Sequence, residues 1–345
     1  MTSSSVPSLT GLRAFAALLV YIHHYNPFPE SSFLYQLARE GYVGVTVFFV
    51  LSGFLITWNY VDKLSATAQR QRFYLLRFAR IMPLYWLLLT GLYGLQWFTK
   101  GNETASFFAQ FSNFLFLKGL ISSLVFSGIP QSWSLSVELC FYLLAPWWIS
   151  LVARRRWLVL ALLYSSFILG LFVLYKNHLS FGSFYTIFGR FFEFGVGIYA
   201  ALWLRKNQSP PVFRFKTIIA VGGVIGVVIG YVLAVYYGQF SVFYTEWLLY
   251  NLLLPGVLGF GLVGLSTEKT FINRVLSYSF TQTLGKSSYA FYLIHIGPVA
   301  VVLQRYVSNN GLLLLILLWI VAYGLYRWVE RPLYFLIIDA KAQRS

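Results

Sequence analysis

The chain is 345 residues long, 58% hydrophobic, 20% aromatic and only 10% charged, with a net charge of +16 and a mean hydropathy of +0.68. This excludes a soluble globular domain, and the spread of apolar blocks over the whole length excludes a lone anchor or a cleaved signal peptide. The basic residues punctuate those blocks instead of gathering on one domain, so they mark topology and not a nucleic-acid surface.

Runs long enough to cross about 30 Å of hydrocarbon predict an all-α, polytopic membrane protein of about ten transmembrane helices, a single membrane domain over 1–345. The first run, 9 to 27, carries Arg13 and His24. At 100° per residue, eleven positions return to within about 20° of the starting direction, so the two share a face, about 16 Å apart along the axis. His23 points elsewhere. A second run covers 41 to 60, followed by Lys63, Arg70, Arg72, Arg77 and Arg80 before a third at 81 to 98. Arg77 and Arg80 are three apart and can face one polyanion; alternatively they are positive-inside anchors.

The segment 106 to 126 is apolar but broken by Gln110, Ser112, Asn113, Lys118 and Gly119. The fourth run, 133 to 153, holds Glu138 in Ser-Trp-Ser-Leu-Ser-Val-Glu and the lone Cys140, and is followed by Arg154, Arg155 and Arg156. Both arginine-rich loops belong on the cytoplasmic side, and spans three and four supply the crossings between them. The segment 106 to 126 is therefore re-entrant or interfacial, on the outer face. Glu138 can orient a histidine, bind a sugar or simply reach interfacial water. One cysteine rules out an intrachain disulfide and reads as packing.

Runs at 157 to 175 and 184 to 204 follow, the latter with Arg190 and Glu193 three apart as an ion pair. Spans at 217 to 237, 247 to 265, 287 to 304 and 312 to 335 complete the set, with Lys269, Arg274 and Lys286 in one inner loop. Both termini are expected to be cytoplasmic. Gly222, Gly226 and Gly230 have the spacing of a close helix–helix contact. His295 reads as a packing histidine, and the four histidines show no metal-ligand spacing, so no metal is expected.

Charge within a span costs roughly 2.5 to 3.5 kcal/mol on insertion scales, so each case needs a partner or a function. A structural subunit does not account for Arg13 and His24. A transporter of a lipid-linked sugar or a proton-coupled solute would use the same buried groups, but no inverted repeat is evident.

Several blocks, taken in order, resemble the acyltransferase-3 family of membrane O-acyltransferases. They are Leu-Thr-Gly-Leu-Arg-Ala-Phe-Ala-Ala-Leu-Leu-Val ending in His-His, Gly-Tyr-Val-Gly-Val-Thr-Val-Phe-Phe-Val-Leu-Ser-Gly-Phe-Leu-Ile, Arg-Phe-Ala-Arg-Ile-Met-Pro-Leu-Tyr-Trp, Trp-Ser-Leu-Ser-Val-Glu, Leu-Gly-Lys-Ser-Ser-Tyr-Ala-Phe-Tyr-Leu-Ile-His and Val-Glu-Arg-Pro. Together they run from about residue 8 to about 335.

The family's arginine, ten residues, histidine motif falls on Arg13 and His24, and its Arg-x-x-Arg motif on Arg77 and Arg80. The resemblance implies transfer of an acyl group, acetyl by default, from cytoplasmic acyl-CoA to hydroxyls of cell-surface polysaccharide, lipopolysaccharide, peptidoglycan or small glycosylated molecules. It also implies a bacterial cytoplasmic membrane location, and no permanently bound cofactor. His24 is then the general base, Arg13, Arg77 and Arg80 hold the phosphate and pantetheine end, and Glu138 orients His24 or grips the acceptor. The chain departs from the commoner pattern at Leu139, where a second acid is usual. It also ends soon after Val-Glu-Arg-Pro, resembling the standalone type without an extracytoplasmic esterase-like domain.

Overall fold

The computed structural model describes residues 6–342 apart from Ser65, 101–104, most of 155–184, and 208–214. Among the described residues every regular element is helical. Among the described residues six helices are long and apolar enough to cross a bilayer, and one bent pair, taken as one span, makes a seventh. The protein is thus an all-α, integral, multi-pass membrane protein. Expected span five, 157 to 175, lies outside the described residues apart from isolated positions. The chain divides into two compact units.

The first unit comprises residues 1–62, 147–184 and 188–286. It holds α1 (Pro7–His24), α2 (Phe33–Arg39), α3 (Gly44–Tyr60), α7 (Ile187–Lys206), α8 (Lys216–Val232), α9 (Val242–Glu246), α10 (Leu254–Thr267) and α11 (Phe271–Ser277). Pro7 starts α1, where its missing N–H is no loss. Gly53 of α3 and Gly197 of α7 pack reciprocally: a Cβ on either would overlap a backbone carbonyl of the other helix, Phe194 or Val50. Leu9, Val50, Phe54, Ala201 and Leu262 fill the core beside that crossing.

One end of this unit is tied by side chains. Ser8 and Asn273 both donate to the Leu265 carbonyl, at 3.2 and 2.7 Å. Glu268 accepts the backbone N–H groups of Lys216 and Thr217, each at 2.9 Å, and so caps the start of α8. The starts of α1 and α8, the end of α10 and the whole of α11 therefore meet at one end. At the other end, Tyr42 donates to Glu246 at 3.0 Å and Tyr250 donates to Glu40 at 2.9 Å.

The glycine contact expected at Gly222, Gly226 and Gly230 is not formed among the described residues, since a Cβ there meets nothing within 4 Å. α8 presents a different face to α10, with Gly223 against Val257, and Ala220 and Thr217 against Gly261 and Gly264. Spacing alone cannot say which of several small residues faces the neighbour.

The second unit comprises residues 63–146, 185–187 and 287–345. Its longest helix, α4 (Thr67–Lys100), begins well before the expected span at 81. Arg72, Arg77 and Arg80 are therefore helical and not in a loop, because a helix can project past the hydrocarbon once its charged turns reach water. The segment 106 to 126 forms a short helix, α5 (Phe107–Phe114), and 3-10 turns, none long enough to span. Phe107, Phe108 and Phe111 are exposed while Ser112 and Asn113 are buried, the inside-out face of an element lying against lipid. Tyr85 and Trp86 of α4 donate to the Asn113 and Phe114 carbonyls, both at 3.0 Å. Lys118 is fully buried, donating to the carbonyls of Ser127 and Ile129 at 2.7 and 2.6 Å.

α6 (Trp133–Arg154) follows, with its first part in this unit. Expected span nine is not one helix: α12 (Ser279–Ile294) and α13 (Pro298–Tyr306) meet at 89°. Gly297, at φ 102°, and Pro298 make the break. Gln131 donates to the Leu293 carbonyl at 2.8 Å, satisfying a group the broken helix leaves open. His295 lies beside the break, buried and bonded through Nδ1 to the Tyr292 carbonyl at 2.8 Å. α14 (Gly311–Leu325), a π turn over Tyr326–Glu330 and α15 (Arg331–Ala342) complete the unit.

Candidate active site

α1 is one unbroken helix from Pro7 to His24, so Arg13 and His24 keep the common face and the roughly 16 Å separation expected from their spacing. Its two terminal histidines differ. His23 is half-buried; its Nδ1 makes a short hydrogen bond with the Arg39 carbonyl, and its ring meets Tyr42 edge-on at 5.5 Å. With a carbonyl as its partner Nδ1 is the donor, and the bond ties the end of α1 to α2. His24, whose ring contacts His23 edge-on at 4.6 Å, is exposed. Gly41 sits so close to the Leu19 carbonyl that a Cβ would overlap it, which brings Glu40 and Tyr42 alongside α1.

Around this end lie further polar groups, of which the sequence singled out Arg190 and Glu193 but not Glu40. Glu40 is 3% exposed and accepts from Tyr250 and, at 3.4 Å, from Tyr236. Arg190 and Glu193 form the ion pair their spacing predicts, at 2.6 Å and almost wholly buried. Thr46 of α3 adds a hydrogen bond to Glu193 at 2.9 Å. The available signal for Glu40 was a carboxylate immediately before a predicted span.

In the second unit, the Arg77 guanidinium lies over two rings, 5.6 Å from Phe73 and 5.5 Å from Tyr142. The Tyr142 hydroxyl makes a short hydrogen bond to Glu138, one turn earlier on α6. Arg77, Tyr142 and Glu138 thus form one continuous chain. Arg80, one turn from Arg77, pairs instead with Glu330, a carboxylate 2% exposed in the π turn. Tyr142 and Glu330 were not picked out beforehand, although Glu330 belongs to Val-Glu-Arg-Pro. Arg13 and His24 fall in the first unit, and Arg77, Arg80 and Glu138 in the second. Among the described residues no group of three or more His, Cys, Asp or Glu is arranged to hold a metal.

The family model described as "Acyltransferase domain", acyltransferase-3, matches residues 6–329. The peptidoglycan O-acetyltransferase OatA of Listeria monocytogenes is 26% identical over 95% of this chain and 56% of its own length. The putative peptidoglycan O-acetyltransferase YrhL of Bacillus subtilis is 27% identical over 95% of this chain and 55% of its own. The acyltransferase MdmB of Streptomyces mycarofaciens is 34% identical over a shorter stretch, 44% of this chain and 42% of its own. The chain spans about half the length of these relatives. No solved structure matches.

Proposed function

Because the chain belongs to the acyltransferase-3 family, matched over residues 6–329, we propose that it is a membrane O-acyltransferase. It would move an acyl group, acetyl by the precedent of the O-acetyltransferases named above, from cytoplasmic acyl-CoA to a hydroxyl of a cell-surface or exported glycan. The reading includes ten spans with both termini cytoplasmic, in a bacterial inner membrane, as one membrane domain.

His24 acts as general base. It takes the proton of the acceptor hydroxyl as that oxygen attacks the thioester carbonyl. The tetrahedral intermediate collapses with cleavage of the C–S bond, and the departing CoA thiolate recovers the proton, leaving an ester and free CoA. Arg13, Arg77 and Arg80 supply positive charge for the CoA phosphates. Glu138, held by Tyr142, accepts a hydrogen bond from the acceptor sugar.

The observation that carries the assignment of the base is the division of labour at the end of α1. His23 has Nδ1 committed to the Arg39 carbonyl, whereas His24 is exposed and shares the Arg13 face. The test is acyl-CoA turnover with an acceptor in membranes holding each variant at matched expression. His24→Ala should lose roughly 10² to 10⁴ in rate, and His23→Ala should keep most activity. A dead His23→Ala beside an active His24→Ala, or unaltered turnover in both, would refute the assignment, and wild-type turnover no higher than in membranes without the protein would favour the transporter reading.

A further inference from the structure

A groove of about 560 Å³ runs along the first unit between α1 and α8, backed by α3 and α10. Leu12, Phe15 and Leu19 line it from α1, and Val221, Val224 and Val228 from α8, so both walls are apolar. Phe15 is 51% and Val221 41% exposed, so the groove opens sideways, on the surface that α1 and α8 turn to the bilayer. Along α8 its lining extends from Thr217 to Ile229, and twelve residues at 1.5 Å each give about 18 Å. That is a little over half of the roughly 30 Å hydrocarbon layer, the depth reached by an acyl chain from one leaflet.

The two ends differ in charge. At one, Glu40 lines the groove with its carboxylate already taken by Tyr236 and Tyr250. At the Thr217 end, Phe271 and Val275 of α11 line the groove while remaining 77% and 45% exposed. This short helix lies at the bilayer interface, and it carries exposed Arg274, with exposed Lys269 just before it. Neither side chain has an ion-pair or hydrogen-bond partner among the described residues. Glu268, the nearest carboxylate in sequence, is occupied by the backbone N–H groups that begin α8.

We propose that this groove binds one anionic phospholipid, an acyl chain lying between α1 and α8 and the phosphate held by Lys269 and Arg274. An apolar slot of one-leaflet length, with two exposed cations close in sequence to the residues that line one of its ends, complements a lipid with a negative headgroup. A zwitterionic lipid would fit the slot equally but bring no net charge to the cations. Bound there, the lipid wedges between α1, which carries His24, and α8. The proposal does not depend on the acyl-transfer chemistry.

The experiment uses the full chain purified in detergent and incubated with phosphatidylglycerol or phosphatidylcholine of identical chains, with retained lipid counted by native mass spectrometry. The wild type should retain one phosphatidylglycerol with roughly ten-fold preference at low salt, each basic residue contributing about 1 kcal/mol at most. Lys269→Ala with Arg274→Ala, both at exposed positions, should abolish that preference while a lipid of either kind is still retained. Val224→Trp, which fills the slot, should release both lipids. Equal retention of the two lipids by the wild type, or a preference that survives the double replacement, would overturn the proposal.

Discussion

The guanidinium of Arg80 is paired with the carboxylate of Glu330, which is 2% exposed, across 250 residues of sequence. Removing one member of a buried pair strands the other charge, at a cost of roughly 3 to 5 kcal/mol when both are deep. Arg80 is 29% exposed, so Arg80→Ala should cost nearer 2 to 3 kcal/mol by the same rule. Adding Glu330→Gln should restore most of the loss. Unfolding midpoints of the single and double variants decide it: a double variant as unstable as the single would show that the pair is incidental.

Arg77 rests on the Tyr142 ring, and the hydroxyl of that ring is engaged by Glu138. Tyr142→Phe keeps the ring and removes only the hydroxyl, so acyl-CoA affinity should stay within about two-fold, while the hold of Glu138 on the acceptor is weakened. Arg77→Ala with Arg80→Ala should instead weaken acyl-CoA binding, and lysine replacements should restore it only in part because a point charge lacks the two-pronged fork. Binding of acyl-CoA to purified protein measures both. Unchanged affinity in the double alanine variant would return these arginines to the role of anchors.

Topology is tested by cysteine labelling in a Cys140→Ser background. Ser31 and Lys269 are both exposed, on opposite sides of the predicted membrane. Ser31→Cys should react with an impermeant reagent applied outside, and Lys269→Cys only after permeabilisation. Lys118 is unsuitable as a reporter because it is fully buried. Reversed access would invert the predicted orientation.

Burial also sets the protonation of Lys118, pushing its pKa down from the usual lysine value to about 7. The unfolded chain then binds more protons than the folded one between about pH 7 and about pH 10, and stability should rise with pH across that window and level off below it. Lys118→Met should remove that slope whatever its own net stability. Unfolding midpoints of the two proteins over that range are the measurement, and parallel curves would show that Lys118 keeps its charge through specific hydrogen bonds to the Ser127 and Ile129 carbonyls.

What the sequence determined by itself is what local physics controls. Apolar run length marks the spans, and the 3.6-residue period put Arg190 and Glu193 together and kept Arg13 and His24 on one face, because both members of each pair ride on a single helix. The arginine-rich segments on either side were enough to exclude a span at 106 to 126, since one more crossing would have put one of them on the outer side.

Tertiary structure alone decided which distant groups meet. The cost of a charge in hydrocarbon says that Arg80 needs a partner, but not that the partner is Glu330. The same holds for Tyr42 with Glu246, for Lys118 with two carbonyls, and for Gly223 in place of its three spaced neighbours. The 89° break between α12 and α13 was hidden because the run across it stays apolar, while Gly297 and Pro298 bend the backbone without changing its hydropathy. Periodicity reports the environment of each side chain, whereas pairing between helices depends on how those helices rotate about their axes, and packing sets that rotation.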